Sequence, residues 1–179
     1  MTPRKRNRSA ESPIEPSPSA LGYRMPAEWE LHAATWLAWP HYHGDWPGKF
    51  EPIPWVYGEI IRNLARHERV ELIVNDAATE RRARKTLERA DAWSDNIRFH
   101  LWPTNRVWLR DSGCVFLTQR PDGWGRVSPH ESLALKFRFN AWAKYSNWRF
   151  DDKIGSLMAE VNVPTLFRRK RERRVGAPI

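Results

Sequence analysis

Short apolar runs alternate along this chain with segments in which apolar residues recur every three to four positions. Five runs of five to seven residues predict buried strands: Ala34 to Trp39, Val70 to Val74, Ile97 to Leu101, Gly113 to Leu117 and Leu133 to Phe139. A turn around Pro121-Asp122-Gly123 separates the last two runs. Strands that alternate with amphipathic helices predict an α/β fold.

Helical spacing is found in three segments between or after these strands. The first begins at Pro54, since a missing N–H costs nothing in a first turn, and runs to about His67. Its predicted apolar stripe consists of four residues: Val56, Ile60, Ile61 and Leu64. The second helix begins after the capping pair Asn75-Asp76 and runs to about Ala90.

The third helix is predicted from about Asp151 to Val161. Four residues form its apolar side: Ile154, Leu157, Met158 and Val161. The doublet Asp151-Asp152 stands at its start, where the helix dipole favours negative charge. A role for Asp151 in a binding pocket is the alternative interpretation of that doublet.

Length and composition restrict the class of protein. The chain has 179 residues, enough for one domain with a proper core, and 11 tryptophans that we expect mainly in the core or in pocket walls. No stretch approaches the roughly 20 apolar residues that span a membrane, and no apolar segment near the N-terminus signals secretion. The single cysteine, Cys114, excludes an internal disulfide and indicates a reducing compartment, so we expect a cytoplasmic protein.

The charge of the chain lies mainly in its tails. Of the net charge of +9, residues 1–20 contribute +2 and residues 168–174 contribute +5, which leaves +2 for residues 21–167. Basic tails bind nucleic acid without specificity, but they are more often solvated ends, so nucleic acid is not the favoured partner. We therefore predict a disordered tail over residues 1–21, a folded domain over 22–167 and a basic tail over 168–179.

The segment from Trp108 to Gly113 carries the most informative chemistry. It reads Trp-Leu-Arg-Asp-Ser-Gly and lies between two predicted strands, so we expect its charges to be held at the end of a sheet. An aromatic three residues ahead of a carboxylate can flank and fix one planar cation, which makes Trp108 and Asp111 the candidate binding residues. The alternatives for Asp111 are an ion pair with Arg110 or Arg106, or a turn cap before Ser112-Gly113.

Three segments together resemble a known family. The first contains Met25 to Glu30 and Thr35 to His41. The second runs from Val107 to Gly113, and the third from Phe139 to Tyr145. In this order and spacing they are similar to the N-terminal half of the agmatine deiminase family, also called the bacterial-type peptidylarginine deiminase family. The resemblance covers about residues 22–167, and the Trp-x-Arg-Asp-Ser-Gly block is its most specific part.

The resemblance implies a fold and an activity. The fold is a pentein, a propeller of ββαβ modules around a central site. The activity is hydrolysis of a guanidinium to a ureido group with release of ammonia, which for agmatine gives N-carbamoylputrescine, without metal or cofactor. A cysteine thiolate attacks the guanidinium carbon, a histidine acts as acid and base, and acidic side chains hold the cation. By the same resemblance, Asp111 is one of those acids and Trp108 lines the pocket.

The sequence also departs from the family pattern. The Glu-Gly-Gly and His-x-Asp segments with the catalytic histidine, and the late nucleophilic cysteine, have no counterpart in it. We therefore expect a truncated form that retains a guanidinium-binding element and is inactive alone, with exposed sheet edges that favour self-association. Its expected partners are a guanidine such as agmatine or an arginine-like molecule, and a separate C-terminal half or a second copy. A non-catalytic guanidine binder or split-enzyme subunit is the alternative, ahead of a nucleic-acid-associated protein.

Neither Cys114 nor the histidines supply the missing chemistry. Cys114 stands where the family has proline and directly precedes Val-Phe-Leu, which is typical of a small buried residue. His41 and His43 flank Tyr42, but no further ligand with metal-site spacing accompanies them. The other four are interpreted as surface or strand-end residues: His32, His67, His100 and His130. We expect a structural role for all six.

Overall fold

The computed structural model describes residues 16–119, 132–141, 145–162 and 166–167. The strands in these ranges are β1 (Ala34–Ala38), β2 (Arg69–Val74), β3 (Ile97–Leu101), β4 (Val115–Thr118), β5 (Ser132–Leu135) and β6 (Leu166–Phe167). The helices are α1 (Ile53–Leu64), α2 (Ala77–Arg89), α3 (Leu109–Ser112) and α4 (Asp151–Asn162). Short 3₁₀ turns span Ser19–Leu21 and His43–Asp45. The α/β content that the pattern predicts is therefore confirmed. The predicted turn at residues 121–123, the basic tail predicted over 168–179 and residues 1–15 of the tail predicted over 1–21 lie outside the described residues.

One sheet is parallel throughout, with the strand order β1-β2-β3. Its central strand pairs Val70 with Thr35 on one side and with Ile97 on the other. Residues 70–74 of this strand are all buried, which explains its nearly continuous apolar sequence. Because each strand is joined to the next through a helix, the three strands form two consecutive β-α-β units.

Helices α1 and α2 cover one face of this sheet and form a core with Val70, Leu72 and Val74. The predicted stripe of α1 is partly wrong, because Val56 and Ile60 are 49% and 41% exposed. The buried side of α1 lies one residue further along the chain, at Gly58, Ile61 and Ala65. Gly58 allows this closer approach, since a Cβ there would stand 3.2 Å from the Cβ of Ala90 in the turn after α2.

The start of α2 is the cap that the sequence predicts. Asp76 is in extended backbone conformation and accepts a 2.6 Å hydrogen bond from the backbone N–H of Thr79. This bond is also the largest cause of the lowered pKa of the Asp76 carboxyl. Ala83 and Leu87 then recur at helical spacing and are fully buried against the sheet.

Helix α4 and the strand β4 cover the other face of the parallel sheet. Ile154 and Met158 of α4 pack with Ala38 and Ile73 in a second core, as predicted, with Leu157 partly buried beside them. Val161 is 37% exposed, so its predicted place in this core is wrong, and Ala159 is buried instead.

The second sheet has the order β4-β5-β6, with β4 and β5 antiparallel and β5 and β6 parallel. Two of its predicted bounds are wrong. Strand β4 begins at Val115 rather than Gly113, because α3 extends to Ser112 and Gly113 ends it, its N–H donating to Leu109 O. Strand β5 ends at Leu135 rather than Phe139, and Phe137 is 61% exposed beyond it.

No helix within the described ranges is long and apolar enough to cross a membrane.

Candidate functional site

Trp108 and Asp111 lie on one short turn between the two sheets. The chain leaves β3, passes Pro103 and forms the single helical turn α3, in which the backbone N–H groups of Asp111 and Ser112 each donate to Trp108 O at 3.1 Å. The hydroxyl of Ser112 donates to the same oxygen at 3.1 Å. Trp108 is the N-cap residue of this turn, and Asp111 lies within the turn three positions later. The charges thus lie on a turn that leads into β4, rather than on a strand end.

This turn lines a cavity of about 800 Å³. Trp108 and Asp111 line its wall together with the apolar side chains of Trp36, Phe116 and Met158. Trp108 is 36% exposed and Asp111 is also exposed, so both are accessible from solvent. The cavity therefore offers a carboxylate and an indole face next to apolar surface.

The two arginines that line the cavity are each paired with a glutamate. Arg24 donates through both terminal nitrogens to Glu30, at 2.7 and 2.8 Å. This pairing, followed by a bond from the backbone N–H of Ala27, lowers the pKa of Glu30 to about 2. Arg110 donates to Glu28 at 3.0 Å across the rim, where both side chains are well exposed.

The two arginines that were the alternative ion-pair partners of Asp111 pair with other carboxylates. Arg110 pairs with Glu28, and Arg106 pairs through its Nε with Asp45 Oδ1 at 3.1 Å. Both Arg106 and Asp45 are nearly buried, with side chains 7% and 8% exposed.

Arg106 belongs to a second, buried cluster beside the cavity. The sequence did not predict that the residues of this cluster lie together. The guanidinium carbon of Arg106 lies 3.7 Å from the ring centre of Tyr42 and 4.6 Å from that of Tyr145. Asp45 completes the enclosure, and burial is the largest cause of the raised pKa of its carboxyl. Tyr145 was included in a family-like segment, whereas nothing in the local sequence marks Asp45, which comes from a turn 61 residues before Arg106.

Asp151 connects this cluster to the approach of the Trp108 turn. It is 1% exposed, and its Oδ1 accepts from the backbone N–H groups of Asn105 and Arg106 at 2.6 and 3.2 Å. Its Oδ2 accepts from the hydroxyl of Tyr145 at 2.9 Å. Burial raises the pKa of Asp151, and these hydrogen bonds oppose the rise. The sequence marks Asp151 as the first residue of a helix, and its carboxylate binds backbone 45 and 46 residues away.

Cys114, which the sequence predicts to be a small buried residue, is partly buried and also lines the cavity. It packs against the second core, and burial raises the pKa of its thiol to about 12. A thiol of that pKa is almost entirely protonated at neutral pH and is a poor nucleophile.

Two histidines hold backbone and side chains in place. The ring nitrogens of His41 lie 3.2 and 3.1 Å from the carbonyl oxygens of Trp39 and Thr104, so the ring connects two loops. His100 is 7% exposed and its Nε2 lies 2.6 Å from the fully buried carboxylate of Glu71. The expectation that His100 is a surface or strand-end residue is therefore wrong for the surface alternative only, because His100 is buried and stands next to the last residue of β3. His130 lies outside the described residues.

Comparison with known proteins shows the family to which the chain belongs. A sequence profile of the Porphyromonas-type peptidyl-arginine deiminase family matches residues 24–171. The chain is 29% identical over 150 residues to agmatine deiminase of Ectopseudomonas mendocina, covering 81% of this chain and 37% of that protein. It is 26% identical over 153 residues to agmatine deiminase of Medicago truncatula, covering 83% and 39%.

A solved structure of agmatine deiminase from Enterococcus faecalis superimposes with a TM-score of 0.69 at 21% identity, covering 86% of this chain and 40% of that one. A second, from C. jejuni, gives a TM-score of 0.57 at 20% identity, covering 82% and 39%. The chain thus spans about two fifths of the length of the relatives it matches, and it shares the fold of their matching part.

Proposed function

Since this chain belongs to the Porphyromonas-type peptidyl-arginine deiminase family, we propose that it supplies the guanidinium-binding part of an agmatine deiminase-like amidine hydrolase. The observation that carries the proposal is that Asp111 of the α3 turn and Trp108 at its N-terminal end line the same cavity. In this proposal Asp111 binds the cation and Trp108 covers it. The matching region forms part of a pentein propeller, as the solved agmatine deiminases with the same local fold suggest.

The chemistry of a guanidinium fits these two groups. The cation is planar and always charged, and a carboxylate can accept two of its N–H groups in parallel. An indole face next to the same plane adds a cation–π contribution of about 0.5–2 kcal/mol, which is larger where water is excluded. Together they fix the plane of the guanidinium, and this directs its central carbon towards a nucleophile.

The charges around the cavity also favour a cation. Its lining includes the carboxylates of Glu28, Glu30 and Asp111 against the guanidiniums of Arg24 and Arg110. Each of the two arginines is paired with one of the glutamates. Together these five side chains have a formal charge of −1, which favours a cation over an anion in the cavity.

For agmatine, the reaction of the whole enzyme consumes one water and yields N-carbamoylputrescine and ammonia. It needs a thiolate for attack on the guanidinium carbon and a group that transfers protons. Among the described residues, Cys114 is the only cysteine, and burial holds its thiol protonated at neutral pH. We therefore propose that this chain binds the guanidinium without hydrolysing it alone, and that the thiolate and the proton-transferring group come from outside the described residues.

Titration of agmatine into the chain and into Asp111→Asn tests the proposal by calorimetry. We expect Asp111→Asn to weaken binding about tenfold or more, because it removes a charge-assisted bidentate partner worth about 1.5–3 kcal/mol. Asp95→Asn is the matched control, since Asp95 is exposed and lies after α2, away from the cavity. Equal affinity of the wild-type chain and Asp111→Asn would reject the assigned site. Release of ammonia by the chain alone would reject the proposed lack of hydrolysis.

A further inference from the structure

Asp151 and Tyr145 make contacts that converge on the segment leading to the α3 turn. The carboxylate of Asp151 holds the backbone of Asn105 and Arg106, the third and second residues before Trp108. The hydroxyl of Tyr145 donates to the other oxygen of the same carboxylate. The Tyr145 ring lies edge-on to the indole of Trp108, with ring centres 5.8 Å apart and an interplanar angle of 86°.

Asp151 makes these contacts at the first turn of α4, where an acidic residue commonly caps its own helix. Its Oδ1 instead accepts from Asn105 and Arg106, in the loop between β3 and α3. The next residue, Asp152, points elsewhere, because its Oδ1 accepts from the N–H of Phe139 at 3.0 Å and from Lys136 at 3.3 Å. Two adjacent carboxylates therefore support two different parts of the chain, and only Asp151 supports the approach to Trp108.

Burial of Asp151 carries a cost that an apolar residue at this position would avoid. A carboxylate with 1% exposure loses most of its contact with water, and hydrogen bonds and the neighbouring Arg106 must compensate. Simple packing of α4 against the sheet does not need such a group, since Ile154 and Met158 already provide it. The buried carboxylate is instead the link between α4, Tyr145 and the loop before Trp108.

We propose that Asp151 and Tyr145 are positioning residues that fix the indole of Trp108 and the start of the turn that carries Asp111. The inference rests on the proposed guanidinium site and adds the residues that set its geometry. Asp151 fixes the backbone before the turn, and Tyr145 fixes the ring plane of Trp108 through the T-shaped contact. Neither residue touches the cation itself.

The direct test observes Trp108 without any ligand. In the chain labelled with 5-fluorotryptophan, the ¹⁹F resonance of Trp108 is assigned by its loss in Trp108→Phe. We expect Tyr145→Leu and Asp151→Asn each to move this resonance by more than its linewidth. Asp152→Asn, which removes the same charge from the neighbouring residue, leaves it in place. Tyr145→Phe restores the ring and returns the resonance towards its wild-type position more closely than Tyr145→Leu does.

Agmatine titrations of the same variants give the second measurement. We expect Tyr145→Leu to weaken binding roughly three- to tenfold, the size expected for a lost edge-to-face aromatic contact that orients a binding group. Tyr145→Phe recovers most of this loss, and Asp152→Asn binds like the wild-type chain. Thermal melting of each variant separates loss of affinity from loss of fold.

The outcomes distinguish the two proposals. An unchanged Trp108 resonance in folded Tyr145→Leu and Asp151→Asn overturns the positioning role, whatever the affinity. If the wild-type chain binds agmatine and Asp111→Asn does not, unchanged affinity in Tyr145→Leu also overturns it. If the wild-type chain shows no binding, the guanidinium site fails, and the fluorine resonance still decides whether Tyr145 and Asp151 fix Trp108. If Asp151→Asn does not fold, the Tyr145 pair of variants decides alone.

Discussion

Replacement of Arg106 by alanine tests whether the buried cluster holds the loop beside the cavity. Its guanidinium lies between the rings of Tyr42 and Tyr145, 3.7 and 4.6 Å from their centres, and its Nε is 3.1 Å from Asp45 Oδ1. The Oδ2 atom of Asp45 is buried and has no hydrogen-bond partner among the described residues. Arg106→Ala therefore leaves a nearly buried carboxylate without the cation that faces it.

The expected loss of stability is about 3–5 kcal/mol, the range for removal of one partner from a buried ion pair. The two cation–π contacts are part of this figure rather than additions to it, because the same guanidinium makes them all. For a domain of this size, each kcal/mol lowers the melting temperature by roughly 2–4 °C. We therefore expect the melting temperature of Arg106→Ala to fall by roughly 6–20 °C.

Urea unfolding, followed by tryptophan fluorescence, measures the difference in the free energy of unfolding. Arg106→Lys keeps the charge but lacks the planar group that two rings can enclose, so its stability should lie between those of the wild type and Arg106→Ala. Arg110→Ala is the matched control, since the Arg110–Glu28 pair is 82% and 73% exposed and is worth about 0–1 kcal/mol. A loss below about 1 kcal/mol in Arg106→Ala, or equal losses in both alanine variants, would refute this reasoning.

Three further predictions concern residues around the cavity. Glu30→Gln should lower the melting temperature at neutral pH. The difference in melting temperature from wild type should shrink as the pH falls from about 4.5 to about 2. The reason is that the lowered pKa of Glu30 means that its carboxylate stabilises the fold only while it is ionised. Cys114 should react with iodoacetamide at pH 8 on the order of a thousandfold more slowly in the native chain than in urea, because burial raises its pKa to about 12. Gly155→Ala should cost about 1–3 kcal/mol in urea unfolding, since the new Cβ would lie 2.8 Å from backbone atoms of Gly113.

Each of these predictions has a control. Asp95→Asn removes an exposed carboxylate, so it should lower the melting temperature at neutral pH less than Glu30→Gln does. Fast alkylation of native Cys114 would contradict its burial. Glu160→Ala changes an exposed position of the same helix as Gly155, and equal stability of these two variants would show that the approach to Gly113 is not tight.

Local patterns predicted most of the parallel sheet correctly. The apolar runs at β1, β2 and β3 and the cap at Asp76 depend on neighbours in the sequence, so spacing and residue type suffice to locate them. The stripe of α1 was less well determined, because Val56, Ile60 and Ile61 offer two overlapping apolar sides. Gly58 determines which of the two sides is buried, because it allows α1 to approach the turn after α2. That contact joins residues 32 positions apart, and no local pattern contains it.

In the candidate site, too, the features that depend on local sequence were predicted, and those that depend on distant contacts were not. Trp108 and Asp111 were predicted because their spacing of three residues is visible in the sequence and matches a family motif. The residues that hold the turn come from elsewhere: Asp45 precedes Arg106 by 61 positions, and Asp151 follows it by 45. The sequence interpretation of Asp151 was mainly that it stabilises the start of its own helix, because a carboxylate at a helix start usually does so.

The way the turn is held determines which substitutions can separate binding from folding. Asp111 and Trp108 are exposed on the turn, so their replacement should alter affinity for a cation with little loss of stability. Arg106 is buried between two rings, so its replacement should mainly lower stability. Tyr145 contacts both sets, through a T-shaped ring contact with Trp108 and through its ring face with Arg106. Its variants should therefore change affinity and stability together, and comparison of Tyr145→Phe with Tyr145→Leu separates the contribution of the hydroxyl from that of the ring.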